Sequence, residues 1–385
     1  YPGMDWTPDS REIVFWAGGK LRRVPAMGGE ARVIPFAIDD TRSVADAPHP
    51  VIPVSPDSFE AKIPKFAALS PDGRRIVFES LGKLYVKNAA GGEARRLTND
   101  GEAIEAWPAW SRDGERLAYV RWTDEGLGQI VTLDANGRNQ RTVTEMRGHY
   151  AVPQFSPDGR TIVFEKREGG YLTSPEFSEN PGVYRVSANG GTPQLVSRGN
   201  SVPQFGAAND RIFMMGREGG NLQLLSTDLN GEAKRVHAQG DLANDFRVSP
   251  TGEHVAFKQN YEVFVVPILP GGQAVTVGEK ASSLPVVKAS KGGADYVGWA
   301  DNGSTVYWSM GPTMYRATTA AMFRRAPASE DAPSFVPPET GLSLARTVRA
   351  DKPTGTVAIT GARILTMAGE DAGVIENGTI VIHGD

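Results

Sequence analysis

A short sequence unit recurs seven times along this chain, and the spacing of its copies restricts the fold more than any other feature. Each copy has an aromatic or apolar residue, then Ser-Pro-Asp-Gly or a variant of it, then an apolar triplet. Successive copies start about 40 to 50 residues apart, except for a longer gap after the first. They begin at Trp6, Leu69, Trp110, Phe155, Phe205, Val248 and Trp299. This period is typical of a propeller with four-stranded blades.

The fourth copy, from Phe155 to Gly191, shows how one repeat predicts four strands. FSPDGRTIVF predicts a strand, a turn and a second strand, because Pro157 presets its φ for a turn and Gly159 supplies the left-handed conformation that short hairpin loops commonly need. A third strand is predicted over Gly182–Ser187 and a fourth over Thr192–Val196. Similar third strands and Gly-rich turns recur in other copies. The sequence therefore predicts all-β structure made of four-stranded antiparallel blades.

Large side chains at the end of each second strand are the predicted core. A single four-stranded sheet cannot bury both faces, so such units must stack, and these side chains would pack between neighbouring blades. They are Phe15, Phe78, Tyr119, Phe164, Met214, Phe257 and Trp308. Seven copies predict a seven-bladed β-propeller, with six or eight blades as the alternatives.

The repeat pattern also predicts the domain layout. The propeller is expected over residues 1–322 with an insertion at about 37–65, followed by a Pro-containing linker over 323–353 and the start of a second domain at 354–385. The last copy loses the Gly-rich turn after Arg316. Either the outer strand of its blade comes from elsewhere, with Leu344–Val348 as the expected segment, or the ring is not closed as simply as seven copies suggest.

The repeats can be compared with a known family. The Ser-Pro-Asp-Gly units and the Gly-Gly-Glu-Ala turns resemble the PD40 (WD40-like) repeats of the TolB family of bacterial periplasmic propellers, over roughly residues 5–319. The resemblance implies a propeller fold and a periplasmic or secreted location. Such propellers serve as interaction platforms and as domains attached to enzymes, so the fold alone leaves both functions open.

The segment 357–385 carries a second resemblance. Alternating apolar residues on either side of Asn377-Gly378 predict two strands. TGARILTM and ENGTIVIHGD are similar to the opening strands of metal-dependent amidohydrolases, which form a small β-sandwich beside a metal-binding barrel. The resemblance implies that this chain is the middle part of a propeller–amidohydrolase fusion, whose divalent metal, zinc by expectation, activates a hydroxide for hydrolysis of amide or related C–N bonds.

No catalytic residue and no metal ligand is assigned to this chain by that resemblance. The His-x-His expected of an amidohydrolase would follow Asp385, and the five histidines present are scattered as His49, His149, His237, His254 and His383. We therefore expect residues before Tyr1 and after Asp385 in the gene product. The chain alone is expected to lack hydrolase activity and to hold no cofactor.

Composition narrows the classes of partner. The 41 basic and 45 acidic residues give a net charge of -4 without a basic block, which argues against nucleic acid. No apolar run approaches the length of a membrane helix. The chain has no cysteine, which excludes disulfides and thiolate metal sites and is compatible with export.

Candidate binding residues come from the loops that lead from one blade to the next, which surround the channel of a propeller. The mixture of carboxylate, amide and aromatic side chains there suits a peptide, or a loop of the adjoining catalytic domain. The principal candidates are Glu105, Trp107, His149, Tyr150, Asn200, Asp245, Asp295 and Tyr296, with Asp100, Glu102 and Asn244 beside them. The alternative to an amidohydrolase accessory domain is a TolB-like interaction module without enzymatic activity.

Overall fold

The computed structural model describes residues 3–45, 48, 50–53, 55–169, 178–268, 273–281, 284–324, 335–368 and 373–384. His49, Asp385 and residues 325–334 of the predicted linker lie outside this set. The chain forms two compact units, Tyr1–Val54 and Ser55–Asp385. The first repeat lies in the smaller unit, and the other six lie in the larger one.

The smaller unit contains one four-stranded antiparallel sheet, sheet 1. Its strands follow chain order: β1 (Met4–Trp6), β2 (Glu12–Ala17), β3 (Lys20–Pro25) and β4 (Arg32–Val33). Phe15, expected in the core, is only partly buried. The first repeat thus forms its predicted sheet without a fully buried aromatic residue at this position.

The larger unit begins with β5 (Ser58–Ala61) and continues with sheets whose first three or four strands follow chain order. Sheet 2 contains β6 (Lys65–Leu69), β7 (Arg75–Ser80), β8 (Lys83–Asn88) and β9 (Arg95–Arg96). Sheet 3 contains β10 (Ile104–Trp110), β11 (Arg116–Thr123), β12 (Leu127–Asp134) and β13 (Arg141–Thr142). Sheet 4 contains β14 (Tyr150–Phe155), β15 (Thr161–Lys166), β16 (Gly182–Ser187) and β17 (Gln194–Ser197).

The remaining sheets are less regular at their outer edges. Sheet 5 contains β18 (Ser201–Phe205), β19 (Arg211–Glu218), β20 (Asn221–Asp228) and β21 (Arg235–Gly240). Sheet 6 begins with β22 (Ala243–Val248), β23 (His254–Gln259) and β24 (Glu262–Pro267). A parallel strand, β25 (Val275–Thr276), extends sheet 5, and β26 (Val287–Lys288) completes sheet 6. Sheet 7 contains β27 (Val297–Ala300), β28 (Thr305–Met310) and β29 (Thr313–Thr318), which leads into helix α1 (Thr319–Met322), and is completed by β30 (Leu342–Ser343).

The Ser-Pro-Asp-Gly turn connects the first two strands of a sheet through its own side chains. In sheet 4, the Ser156 hydroxyl donates to Asp158 Oδ1 over 2.6 Å and accepts from the N–H of Thr161 over 3.0 Å. Asp158 Oδ1 also accepts from the N–H of Arg160, and Gly159 has a φ of 67°. Equivalent bonds form in sheets 2 and 3. The motif therefore specifies this turn by local hydrogen bonding.

Six apolar clusters hold the larger unit together, one between each pair of neighbouring sheets. The predicted core residues of sheets 2 to 7 are all buried: Phe78, Tyr119, Phe164, Met214, Phe257 and Trp308. The cluster that contains Leu69 and Phe78 of sheet 2 also contains Ala300 and Tyr307 of sheet 7. Sheets 2 to 7 thus pack in a closed cycle of six, which is one of the alternatives that the repeats allow. The number of blades in the whole chain stays a prediction.

The outer strand of sheet 7 differs from the expected segment. It is β30, and the following strand, β31 (Arg346–Arg349), pairs with β5 instead. Leu344 lies between these two strands and is 1% exposed in the cluster that joins sheets 7 and 2. The prediction was wrong because the side chain of Leu344 anchors the segment between two sheets. Part of the predicted linker is therefore built into the fold.

The end of the chain forms a two-stranded hairpin of β32 (Thr356–Leu365) and β33 (Val374–His383). Most of its side chains are exposed, including Val357, Ile359 and Ile382. These strands occupy the two segments that the alternating apolar pattern predicts. Among the residues that the structure describes, no helix is long and apolar enough to cross a membrane.

Candidate functional site

The first strands of sheets 2 to 7 surround a channel, and residues of all six sheets line the cavity within it. These inner strands are β6, β10, β14, β18, β22 and β27. Each begins at the end of the channel where the predicted binding residues lie and runs toward its Ser-Pro-Asp-Gly turn or the equivalent of that turn. We call the end at which they begin the channel mouth.

Four inner strands carry the same backbone irregularity near the mouth. Phe66, Trp107, Val152 and Val202 have φ values of 53°, 56°, 50° and 51°. The pairing register shifts at each of these positions. A positive φ is strained for bulky and β-branched residues, and β-bulges are enriched near functional sites because they redirect side chains. The repeated bulge therefore marks the mouth as a candidate site.

An aromatic cluster lies at these bulges. The ring centres of Phe66 and Trp107 are 4.0 Å apart, and those of Phe66 and Tyr296 are 5.3 Å apart. The Arg167 guanidinium lies 4.8 Å from the centre of the Trp107 ring, and the N–H of Arg167 donates to the carbonyl of His149 over 2.8 Å. Burial raises the pKa of the Tyr296 hydroxyl. We call Phe66, Trp107, Tyr296 and Arg167 the mouth cluster.

Charged side chains of sheets 6 and 7 lie next along the mouth. Asp245 is 9% exposed, and its carboxylate lies 3.2 Å from Arg247 Nε and 3.7 Å from Lys258 Nζ. Lys258 also donates to the carbonyl of Asp295 over 2.9 Å, and Asp295 Oδ2 accepts from the N–H of Gly311. Lys258 thus connects the two predicted acidic residues.

Three other predicted residues are engaged in internal hydrogen bonds. Glu105 is fully buried, and its Oε2 accepts from the N–H of Leu84 over 2.9 Å and from the hydroxyl of Thr98 over 2.6 Å. The Tyr150 hydroxyl donates to the carbonyl of Met146, and burial raises its pKa to about 12. The half-buried Asn200 donates from Nδ2 to the Ser197 hydroxyl over 2.6 Å. These polar groups hold sheets and loops together.

The structure thus brings together Trp107, His149 and Tyr296 around the mouth cluster, and Asp245 and Asp295 around Lys258. The connecting contacts are made by three residues that the repeat pattern does not single out, Phe66, Arg167 and Lys258. The sequence shows Phe66 as one of the apolar residues of an inner strand. Its left-handed backbone conformation and its neighbours follow from the packing of the sheets.

The arrangement favours binding by aromatic and cationic contacts. Stacked aromatic side chains with an arginine present large contact areas for a polypeptide or a flat ligand. Among the residues that the structure describes, no group of three or more His, Asp or Glu side chains could hold a metal ion.

Parts of this chain are similar to known proteins. A TolB homolog of Chlorobium chlorochromatii is 36% identical over 101 residues, which are 25% of this chain and 22% of that protein. Dipeptidyl-peptidase 5 of Porphyromonas endodontalis is 32% identical over 107 residues, 25% of this chain and 15% of the peptidase. The crystal structure of TolB from Acinetobacter baumannii is similar with a TM-score of 0.43 and 17% identity, over 70% of this chain and 60% of that one. The chain thus matches only about a fifth or less of the TolB homolog and of the peptidase.

A protein-family model provides the assignment. The model described as the TolB beta propeller domain, PD40, matches residues 68–267. This range extends from the inner strand of sheet 2 to the third strand of sheet 6 and covers just over half of the 385 residues. The chain therefore belongs to the family of TolB-type β-propellers.

Proposed function

We propose that this chain is the non-catalytic propeller portion of a metal-dependent amidohydrolase. The supporting observation is the hairpin β32–β33. Val357, Ile359, Ile380 and Ile382 are 59%, 47%, 39% and 44% exposed, and a two-stranded hairpin is marginally stable without a covering layer. These strands resemble the opening strands of an amidohydrolase. In such an enzyme the remaining strands of the β-sandwich would form the covering layer.

In this proposal the six-sheet cycle controls access to the catalytic domain or presents substrate to it. The divalent metal, expected to be zinc, belongs to the barrel of that domain and supplies a bound hydroxide there. The channel mouth supplies the contact surface, through the mouth cluster and the Lys258-linked carboxylates.

The gene sequence after Asp385 gives the first test. An apolar strand followed by His-x-His within a few tens of residues supports the proposal, whereas a stop codon or an unrelated sequence contradicts it. The second test compares hydrolysis of a panel of N-acyl amino acids and dipeptides by the full gene product and by this chain, each with added zinc. Metal-dependent turnover is expected only for the full product. Turnover by this chain alone would contradict a non-catalytic role.

A TolB-like interaction module without enzymatic activity is the second candidate. The mouth cluster favours it, because strained backbone holds Phe66 and Trp107 in place beside Arg167. A phage-displayed peptide library can be selected against the purified chain, and the selected peptides measured by fluorescence anisotropy. Trp107→Ala is expected to weaken binding about tenfold or more, whereas Leu195→Ala, on the outer strand of sheet 4, leaves it unchanged. Equal binding by both variants would exclude the channel mouth as the peptide-binding site.

For location, we propose the periplasm or the exterior, on the family resemblance alone. Fractionation of cells that express the full gene product with a C-terminal epitope tests this. Recovery of the protein with the cytoplasmic fraction would contradict it.

A further inference from the structure

A cavity of about 410 Å³ occupies the other end of the channel, between the Ser-Pro-Asp-Gly turns. Its walls include Trp110, Phe155, Phe205 and Trp299. The indole of Trp110 donates to the carbonyl of Ala68, and that of Trp299 donates to the carbonyl of Arg247. These bonds are made to the neighbouring inner strand, so they fix the rings in the wall. We call this space the turn-side cavity.

Arg112 extends across this cavity. It occupies the place that proline takes in the turns of sheets 2, 4 and 6. From sheet 3, its Nη2 donates to the carbonyl of Gly206 in sheet 5 over 2.9 Å, and its Nη1 donates to the carbonyl of Pro250 in sheet 6 over 3.0 Å. The guanidinium is therefore held by two sheets that are not neighbours of its own.

The guanidinium of Arg112 is partly buried, and this burial lowers its pKa. In the part of the chain that the structure describes, Arg112 forms no ion pair. The other arginine that lines the cavity, Arg247, has Asp245 3.2 Å from its Nε. A partly buried guanidinium without a counter-charge is costly unless an anion joins it.

The two carboxylates at the edge of the cavity have partners of their own. Asp72 accepts from the Ser70 hydroxyl and has Arg75 nearby, and both contacts lower its pKa. Asp113 accepts from the Ser111 hydroxyl over 2.5 Å and lies near Arg116. Both aspartates are exposed. The uncompensated charge inside the cavity is thus a single positive one.

We propose that the turn-side cavity binds the carboxylate of a small organic acid or of a polypeptide C-terminus, with Arg112 as its counter-ion. A guanidinium matches a carboxylate in shape and charge, and a volume of about 410 Å³ suits a small ligand with an apolar body against the aromatic walls. The cavity has one uncompensated positive charge, on Arg112, and the negative charges of Asp72 and Asp113 lie at its edge. This balance favours a ligand with a single negative charge over a phosphate dianion. Gln154, which also lines the cavity, offers an amide to the same ligand.

The test measures binding of benzoate, benzamide and inorganic phosphate to the purified chain by calorimetry and by the indole N–H signals of Trp110 and Trp299. Benzoate is expected to bind at least about tenfold more tightly than the neutral, isosteric benzamide, and more tightly than phosphate. A tetrapeptide with a free C-terminus is compared with its C-terminal amide. Preference for the free peptide over benzoate identifies a polypeptide terminus as the source of the carboxylate, and the reverse identifies a small acid.

Variants test the role of Arg112. Arg112→Gln is expected to weaken benzoate binding at least about tenfold, whereas Arg74→Gln, at an exposed position in the turn of sheet 2, leaves it within about twofold. Circular dichroism establishes that each variant is folded. If Arg112→Gln does not fold, the comparison of benzoate with benzamide on the unmodified chain still tests whether the cavity recognises the charge of the carboxylate. Equal binding of these two probes, no binding of any carboxylate, or unchanged binding by folded Arg112→Gln would overturn the proposal.

Discussion

At the scale of single residues, local sequence rules predict the strands of this chain but not the contacts that side chains make across the channel. The sequence predicts strands, turns and core aromatic residues because these depend on local period and turn chemistry. Arg112 is visible in the sequence as a substitution for proline, but its contacts across the channel are not. The left-handed conformation of Phe66 and Trp107 is equally hidden, since it arises from the packing of inner strands.

Glu105 gives a prediction at the same scale. Burial raises the pKa of its carboxyl above the ordinary value, although hydrogen bonds from Thr98 and Leu84 oppose the shift. The folded state therefore keeps the proton to a higher pH than the unfolded state. This group contributes most stability below the unfolded pKa, and that contribution is lost as the pH rises through the folded pKa.

Glu105→Gln removes this titration. We expect the free energy of unfolding of the unmodified protein to fall relative to that of the variant as the pH rises from 4 to 7. Urea unfolding at a series of pH values measures the difference. Glu102→Gln, at an exposed position nearby, controls for the loss of one negative charge. A difference between the protein and Glu105→Gln that is constant with pH would contradict the prediction.

At the scale of elements, the start of the second strand links neighbouring sheets in sheets 2 and 3. Arg75 Nη2 donates to the carbonyl of Gly114 over 2.9 Å, and Arg116 Nη2 donates to that of Gly159 over 2.7 Å. The guanidinium of Arg116 also lies 5.0 Å from the centre of the Phe155 ring. The sequence shows that these arginines occupy the same position in their repeats. It does not predict that their side chains reach the next sheet.

Arg116→Ala is expected to lower the free energy of unfolding by about 2 kcal/mol, because it removes a charge-assisted hydrogen bond and a contact with an aromatic ring. Chemical denaturation of the purified chain measures the change. Arg160→Ala is the matched control, since Arg160 is exposed in the turn that accepts the bond from Arg116. Equal effects of the two substitutions would show that the link between sheets 3 and 4 contributes little.

At the scale of the whole molecule, the repeat identifies which segments form sheets but not which sheets become neighbours. All seven copies form sheets, yet the contact between sheets 7 and 2 is made by segments far apart in sequence. Lys87 Nζ donates to the carbonyl of Ser343 over 2.8 Å, and the guanidinium of Arg346 lies 3.4 Å from the centre of the Tyr85 ring. This contact involves residues that follow the last repeat, which explains why the pattern could not locate it.

Leu344→Ala tests the contact between sheets 7 and 2. The side chain is almost fully buried between them, so its removal is expected to lower the free energy of unfolding by about 2 to 4 kcal/mol. Thermal and urea unfolding measure the loss. Ser343→Ala, at the exposed neighbouring position, is the control and should have little effect. A loss below about 1 kcal/mol for Leu344→Ala would contradict a tight contact.

Deletion of residues 1–54 tests whether six sheets suffice for a stable ring. The cluster between sheets 7 and 2 closes the cycle within Ser55–Asp385, so this unit is expected to fold alone and to unfold cooperatively. Its free energy of unfolding is expected to differ from that of the whole chain by no more than about 1 kcal/mol. A matched deletion of residues 342–385 removes β30, Leu344 and β31 and is expected to abolish cooperative unfolding. Circular dichroism and differential scanning calorimetry measure whether each variant is folded and whether it unfolds cooperatively. Aggregation or non-cooperative unfolding of the first variant would contradict the prediction that the six-sheet unit is stable alone.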